Sequence, residues 1–237
     1  MHANFSFAER TLFIKLCEND LNVQNPTHWA KIAIRIAVLF GVYGELAKSN
    51  FQTVDFASIT ADYAFITAAI YARKMGLPIG NIICSCEENS GAWDLFRKGD
   101  LSFSGNDPRM ISRYFEFIVY EVLGIDAVKD YLRAFESRSV FKLNEGQLML
   151  FNKVMNGAVI SGSRCSGLIR SIYRTHNYVS EPSLAITYGG VQDYRSRTGE
   201  NRTALLISDI SPRSFERLVS EATGLTPVEM RKIISNS

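Results

Sequence analysis

The stretch from Asp55 to Pro78, DFASITADYAFITAAIYARKMGLP, places the strongest constraint on the fold of this 237-residue chain. Val54 to Ile59 has the short, mostly apolar pattern of a buried strand. Thr60 and Asp62 stand where a helix cap belongs, and Ala64 to Met75 carries apolar residues around nearly the whole circumference of a helix. The pattern predicts a strand–loop–helix unit of a layered α/β domain, in which the loop is the usual place for a ligand.

The end of this stretch, Ala72-Arg-Lys-Met-Gly-Leu-Pro78, resembles the threonine synthases, enzymes that depend on pyridoxal phosphate. In that family the segment P-S-G-N-F-G-D precedes a buried helix and A-K-x-x-G-L-P, and its G-N-F-G loop holds the cofactor phosphate. The resemblance implies an α/β fold of the tryptophan-synthase-β-like type, a layered sheet with helices on both faces, truncated at the N-terminus. The counterparts of the phosphate loop are Thr60, Ala61, Asp62, Tyr63 and Ala64, followed by Phe65.

The phosphate loop is degenerate in this chain. Both of its glycines have become alanines, Ala61 and Ala64, and its asparagine has become Asp62. A helix start attracts phosphate when small residues admit the anion and no negative side chain opposes it. A carboxylate within ~4 Å of a phosphate opposes binding by about 4 kcal/mol at an effective dielectric of 20, which outweighs a good backbone hydrogen bond to a charged group at about 1.5–3 kcal/mol. We therefore expect no intact cofactor site, and a helix-capping role for Asp62 is favoured over a ligand-binding one.

Composition excludes several classes of partner. The chain is 46% hydrophobic and 21% charged, with 26 Lys and Arg against 24 Asp and Glu, which is typical of a globular protein and offers no field for nucleic acid or an anionic membrane. The first twenty residues contain no uninterrupted apolar segment, so we expect neither a secretory signal nor a membrane span, and predict a cytoplasmic protein. The cysteines fit thiols buried in a reducing compartment. They are Cys17, Cys84, Cys86 and Cys165.

Downstream segments extend the resemblance over most of Asn25 to Gly224. Ile82 to Cys86 is predicted as a second buried strand and matches the family's A-T-N-x-N-D stretch. Ala204 to Ser208 is predicted as another strand, and the turn after it resembles the family's T-A-H-P-A-K-F. The threonine of that turn approaches the pyridine nitrogen of the cofactor in the family, so the resemblance assigns its place to Ser208 or Asp209.

Two cysteines on one strand also raise the question of a metal. Cys84 and Cys86 fall on the same strand face, but no second Cys or His pair stands at ligand spacing. We expect core cysteines and no metal site.

The domain organisation is expected to be a single α/β domain over residues 1–237, with a candidate hinge near 157–163. Phe141 to Asn156 is predicted as one helix before that hinge. Gly157 to Gly167 is rich in small residues but follows no predicted strand, so a phosphate-binding loop is not expected there. Glu181 and Pro182 are predicted to open a further helix.

The family's Schiff-base lysine lies in an F-K-D segment that has no counterpart in these residues. Phe141-Lys142-Leu143 comes nearest, and a lysine on the surface of the predicted helix explains it better. The resemblance therefore implies no catalytic residue and no cofactor for the isolated chain, although pyridoxal phosphate is the cofactor of the family.

Three functions remain open at this point. The leading hypothesis is a pseudoenzyme or partner module with no catalytic activity. Its rival is one half of a split pyridoxal-phosphate lyase that makes threonine from phosphohomoserine beside a separate, lysine-bearing polypeptide, and a small-molecule sensor is weaker. Loss of the N-terminal half would expose an apolar face, so we expect a lysine-bearing partner chain or a homo-oligomer. Self-association or folding back would involve Phe5, Phe7, Leu12 and Phe13.

Overall fold

The fold, taken from a computed structural model, is described for residues 29–48, 53–59, 62–88, 91–103, 114–207 and 210–236. In chain order the elements are α1 (Trp29–Ala47), β1 (Val54–Ile59), α2 (Tyr63–Lys74), β2 (Ile79–Glu87), α3 (Gly91–Lys98), β3 (Asp100–Ser102), α4 (Phe115–Leu123), α5 (Ile125–Glu136), β4 (Val140–Lys142), α6 (Glu145–Val154), β5 (Asn156–Ile160), α7 (Cys165–His176), α8 (Pro182–Thr198), β6 (Ala204–Leu206), α9 (Glu216–Thr223) and α10 (Pro227–Asn236). Short 3₁₀ turns span Gly162–Arg164 and Pro212–Phe215. The four residues expected to take part in self-association or folding back lie outside the described residues: Phe5, Phe7, Leu12 and Phe13.

A parallel sheet with the strand order β5-β2-β1-β6 forms the centre of the fold. β1 is buried on both faces along nearly its whole length, as expected for a central strand of a parallel sheet. β2 is longer than the sequence predicted, because Ile79 already pairs with Val54.

Helices cover both faces of this sheet. On one face α1, α2, α4 and α6 pack with Phe56, Ile82 and Cys84 around one hydrophobic core. On the other face α7, α8, α9 and α10 enclose a second core that includes Ile160. The layered α/β class predicted from the sequence is therefore confirmed.

A buried carboxylate, Asp55, links the strands at their amino-terminal ends. Asp55 accepts a hydrogen bond from the Asn81 N–H at 2.7 Å and pairs with the Arg202 guanidinium at 3.3 Å. These contacts connect β1 to the start of β2 and to the residues that precede β6. This end of the sheet lies opposite the loop that the sequence predicts as a ligand site.

The prediction of one helix from Phe141 to Asn156 is wrong. Residues 140–142 form β4, which pairs antiparallel with β3, and α6 begins only after Asn144. Asn144 and Gln147 form a reciprocal capping box, so the helix starts where their side chains satisfy the first free N–H groups.

The chain after α6 also differs from the expectation. Asn156–Ile160 is a strand, β5, that pairs with β2, so a strand does precede most of the small-residue segment 157–167. Gly157 is required by packing, because a Cβ atom there would lie 2.5 Å from Cγ of Phe96. Of the candidate hinge, residues 157–160 belong to the sheet, and residues 162–164 form a 3₁₀ turn.

No helix among the described residues is long and apolar enough to span a membrane.

Candidate functional site

The candidate site lies at the carboxyl ends of β1 and β6, which are neighbours in the sheet. After β1 the chain enters α2 on one face, whereas after β6 it enters α9 on the opposite face. The helices that follow two adjacent strands therefore lie on opposite faces of the sheet. In open α/β sheets such a point forms the crevice in which ligands bind.

Asp62 closes the start of α2. It is the N-cap residue, and its Oδ1 accepts a hydrogen bond from the Phe65 N–H at 3.2 Å. The Asp62 carbonyl oxygen accepts from the Phe65 N–H at 3.1 Å and from the Ile66 N–H at 3.3 Å. The amide that a phosphate would need at this helix start is thus already engaged by a carboxylate, as the capping interpretation of Asp62 expects.

Arg35 of α1 lies beside this cap. Its Nε atom is 3.9 Å from Oδ1 of Asp62, and its guanidinium carbon is 4.7 Å from the centre of the Phe65 ring. The Asp62 side chain is 21% exposed, so the pair lies at the protein surface and not in the core. Burial raises the pKa of the nearby Tyr114 hydroxyl, while Arg35 lowers this pKa and Asp62 raises it.

Tyr63 and Ala64, the next two counterparts of the phosphate loop, point into the core. The Tyr63 ring packs edge-on against Phe115 at 5.1 Å between ring centres. The Tyr63 hydroxyl is buried and has no hydrogen-bond partner among the described residues. Burial raises its pKa well above the usual value, and Cys84 and Cys86 add to the rise. These two side chains therefore belong to the hydrophobic core.

The remaining predicted site residues are Thr60, Ala61, Ser208 and Asp209, and all four lie outside the described residues. The structure does bring their neighbours together, because Ala57 of β1 pairs with Leu206 of β6. Sequence reasoning missed Arg35. The available signal was that a basic residue interrupts the apolar pattern of α1.

A second helix start at the same end of the sheet is closed by Glu181. Glu181 is the N-cap of α8, only 1% exposed, and its carboxylate accepts from the N–H groups of Ser183 and Leu184, the latter at 2.6 Å. Pro182 occupies the first turn, which favours a helix start. Sequence reasoning predicted the helix but missed the cap, although an acidic residue directly before a proline was a usable signal.

Taken together, these residues do not fit the phosphate of pyridoxal phosphate at the start of α2. A carboxylate holds the Phe65 amide, and Ala64 adds a buried methyl group where the family has glycine. The positive charge of Arg35 favours an anion, but its guanidinium is already within ion-pair distance of the Asp62 carboxylate.

The two strand cysteines are core residues. Cys84 and Cys86 are both buried, and burial raises the pKa of the Cys84 thiol. No group of three or more His, Cys, Asp or Glu side chains within the described ranges could hold a metal ion.

The fold is the tryptophan-synthase-β-like fold of the threonine synthases. By structure, the chain is similar to a pyridoxal-phosphate-bound threonine synthase from Brucella melitensis, with a TM-score of 0.71 and 22% identity over 92% of this chain. It is also similar to threonine synthase from yeast, with a TM-score of 0.67 and 18% identity over 87% of this chain.

Curated sequences give the same relationship. Threonine synthase from Methylobacillus glycogenes is 26% identical over 223 residues, 89% of this chain, and human threonine synthase-like 1 is 23% identical over 181 residues, 70% of this chain. No protein-family model matches the chain. The recognition made from the sequence is confirmed: the chain is related to the threonine synthases and fits a C-terminal portion of them.

The chain spans about half the length of the threonine synthases it matches, and 24% of human threonine synthase-like 1. It covers 46% of the Methylobacillus protein and 51% of the Brucella structure.

Proposed function

We propose that this chain is a threonine synthase-like protein that does not hold pyridoxal phosphate in the manner of its relatives and acts as a non-catalytic partner module. One observation carries the proposal: the Asp62 carboxylate caps α2 at the place where the family binds the cofactor phosphate. A phosphate at that position would lose the Phe65 amide and would face a negative side chain.

The magnitudes favour exclusion of the phosphate. Two unit charges about 4 Å apart repel by about 4 kcal/mol at an effective dielectric of 20. One backbone hydrogen bond to a charged group contributes about 1.5–3 kcal/mol. The Phe65 amide already donates to Asp62, so a phosphate would gain less than this from it. Arg35 offsets only part of the repulsion because it is already paired with Asp62.

The absence of an F-K-D segment from these 237 residues supports the same proposal. The nearest sequence match, Lys142, is exposed on β4 and lies in the small two-stranded sheet, away from the crevice between β1 and β6. Both observations support the proposal that these residues supply no Schiff-base lysine.

The outer face of α1 supports a partner. Trp29 is 49% exposed, Ile34 44% and Phe40 37%, on a helix whose outward positions carry few charges. Exposed apolar surface of this kind marks interaction sites in soluble proteins. The apolar surface of α1 suits an interface with either a partner chain or a second copy of this chain. We propose that residues 1–237 form one α/β domain that contributes this surface.

A second candidate function is favoured by the half-length match to the relatives. In this version the chain is one half of a split threonine synthase, and a separate polypeptide supplies the lysine. The two candidates differ at Asp62, because a working half needs a phosphate site and a non-catalytic module does not.

Calorimetric titration of the purified chain with pyridoxal phosphate, and separately with inorganic phosphate, tests the proposal. The parent should bind neither at micromolar concentrations. The variant Asp62→Asn with Ala61→Gly and Ala64→Gly removes one charge and two methyl groups, so it should bind phosphate at millimolar concentrations and be stabilised by about 1.4 kcal/mol at roughly ten times the dissociation constant.

The matched control is the variant with both glycines but with Asp62 retained, which should gain no response to phosphate. A micromolar dissociation constant for pyridoxal phosphate with the parent chain would overturn the proposal and favour the split enzyme. If the triple variant is destabilised by about 1 kcal/mol per glycine and gains no response to phosphate, packing around Tyr63 and Phe65, in addition to the charge of Asp62, accounts for the loss of the site.

A further inference from the structure

We propose that the outer edge of β5 is a docking site for an extended acidic segment of a partner polypeptide, which adds to the sheet as a further strand. This inference does not depend on the cofactor question, because β5 lies at the end of the sheet away from the β1–β6 crevice.

The main chain of β5 offers hydrogen-bonding groups along this edge. The Glu88 N–H donates to the Ile160 carbonyl at 3.3 Å, so the polar groups of Ile160 face β2. Polar groups alternate between the two sides of a strand, and those of Gly157 and Val159 therefore point away from β2. These two residues have no hydrogen-bond partner on that side among the described residues. A docked strand would meet two N–H donors and two C=O acceptors.

The edge lies at the bottom of a groove and not on a flat surface. A cavity of about 390 Å³ is lined by residues 157–159 of β5, by α3 on one face of the sheet and by α8 on the other. A second cavity of about 320 Å³ continues it toward the start of β5 and shares Phe96, Gly157 and Arg197 with the first. The groove thus runs along the strand and has a helix on each side.

The walls of the groove define the side chains of the partner. Trp93 and Phe96 form the α3 wall, and Tyr194 and Arg197 form the α8 wall. Successive side chains of an added strand alternate between these walls. Apolar residues therefore suit the aromatic rings of the α3 wall, and carboxylates suit Arg197 on the α8 wall and Arg97 in the last turn of α3.

The charges in the groove favour an acidic segment. Arg97 and Arg197 line it and are exposed, and Arg97 stacks on the Trp93 ring at 5.3 Å. The acidic residue in the lining, Asp193, is neutralised by two hydrogen bonds from Arg164 at 2.8 and 3.1 Å. The groove is therefore a net cationic surface toward an incoming strand.

A single segment fits this groove better than the edge of a second copy. In an edge-to-edge pair of sheets, α3 and α8 of each copy would approach the same helices of the other copy. An isolated strand brings no helices with it. Addition of a strand to an open sheet edge is a common mode of peptide recognition, in which main-chain bonds give affinity and alternate side chains give specificity.

The test uses the acetylated and amidated pentapeptide Glu-Val-Glu-Val-Glu as the probe. The chain contains two tryptophans, so in a Trp29→Phe background the fluorescence reports on Trp93 in the groove. We expect a saturable change in fluorescence with this peptide and none with Lys-Val-Lys-Val-Lys. Hydrogen exchange should slow at the amides of Gly157 and Val159 and stay unchanged at Ala158, whose amide already faces β2.

Two variants make the test specific. Val159→Pro removes one outward N–H at an edge position where proline is tolerated, and it should weaken binding about threefold to tenfold. Arg197→Glu with Arg97→Glu leaves the main chain intact and should reverse the preference, so that the lysine peptide binds and the glutamate peptide does not. This charge reversal keeps the test decisive if Val159→Pro fails to fold.

Absence of any fluorescence change with the glutamate peptide would overturn the proposal, as would binding without protection of the two amides. Protection of the same amides that rises with protein concentration alone would also overturn it, because a second copy would then occupy the edge. None of these outcomes bears on phosphate binding at Asp62, so failure of this inference and failure of the proposed function are distinguishable.

Discussion

The starts of α2 and α8 are both closed by an acidic N-cap residue, but the two caps differ in depth. Glu181 is buried and accepts from two main-chain amides of α8. Asp62 is partly exposed, accepts from one amide of α2 and faces Arg35. The α8 cap is therefore part of the hydrophobic interior, whereas the α2 cap stands at the rim of the crevice.

Because of this difference, Glu181 matters mainly for stability, whereas Asp62 can affect anion binding with little effect on stability. A buried carboxylate with satisfied hydrogen bonds is costly to remove, since its amides would then be left in an apolar environment. An exposed cap can change at little cost to the fold. The identity of residue 62 is therefore open to selection for or against an anion, whereas that of residue 181 is fixed by packing.

Replacing Glu181 by alanine should give the largest effect. Two buried amides lose their acceptor, and we expect the free energy of unfolding to fall by about 3 kcal/mol in urea denaturation. The control is Glu221→Ala, which removes an exposed partner of Arg217 and should cost about 0.5 kcal/mol or less. Equal losses for Glu181→Ala and Glu221→Ala would contradict the buried structural role of the α8 cap.

Replacing Asp62 by alanine should cost less, about 1 kcal/mol, because a single exposed cap is lost. Asp62→Ser keeps an oxygen acceptor without the charge and should recover most of that loss. Thermal melting of the two variants checks both values. If serine fails to recover stability, the contact with Arg35 and not the cap holds the start of α2.

Replacing Tyr63 by phenylalanine should have the smallest effect at neutral pH, within about 1 kcal/mol, because the hydroxyl it removes has no partner among the described residues. Burial raises the pKa of Tyr63 above the value of 10.0 expected in the unfolded chain. Above that pH the unfolded chain releases a proton that the folded chain keeps, so stability is full below pH 10 and falls as the pH rises.

The phenylalanine variant should therefore lose stability less steeply in alkaline solution, as measured by urea denaturation at a series of pH values. Tyr120→Phe, at an exposed position of α4, is the matched control and should keep the slope of the parent. An unchanged slope in the Tyr63 variant would place the ring elsewhere in the native protein.

The central unit could be predicted from sequence because its determinants are local. The apolar run of β1, the cap at Asp62 and the all-round apolar surface of α2 lie within about twenty consecutive residues, and the structure has each of them. The family resemblance supplied the layered fold. It also directed attention to the loop between these two elements.

The region from Phe141 to Ile160 could not be predicted in the same way. β4 and β5 are three and five residues long, and their partners β3 and β2 lie far away in the sequence. Only the close packing of Gly157 against Phe96 explains why a glycine stands in β5. The contact between Arg35 and Asp62 was missed for a similar reason, since it joins two helices that sequence periodicity treats separately.

The strand order β5-β2-β1-β6 has a consequence for synthesis on the ribosome. The two inner strands emerge first, and both outer strands emerge last, so the nascent β1–β2 pair has two unprotected edges for much of translation. The charge of Asp55 is neutralised only after Arg202, 147 positions later in the sequence, has been synthesised. Exposed strand edges of this kind promote aggregation, so we expect the yield of refolded chain to fall as the protein concentration during refolding rises.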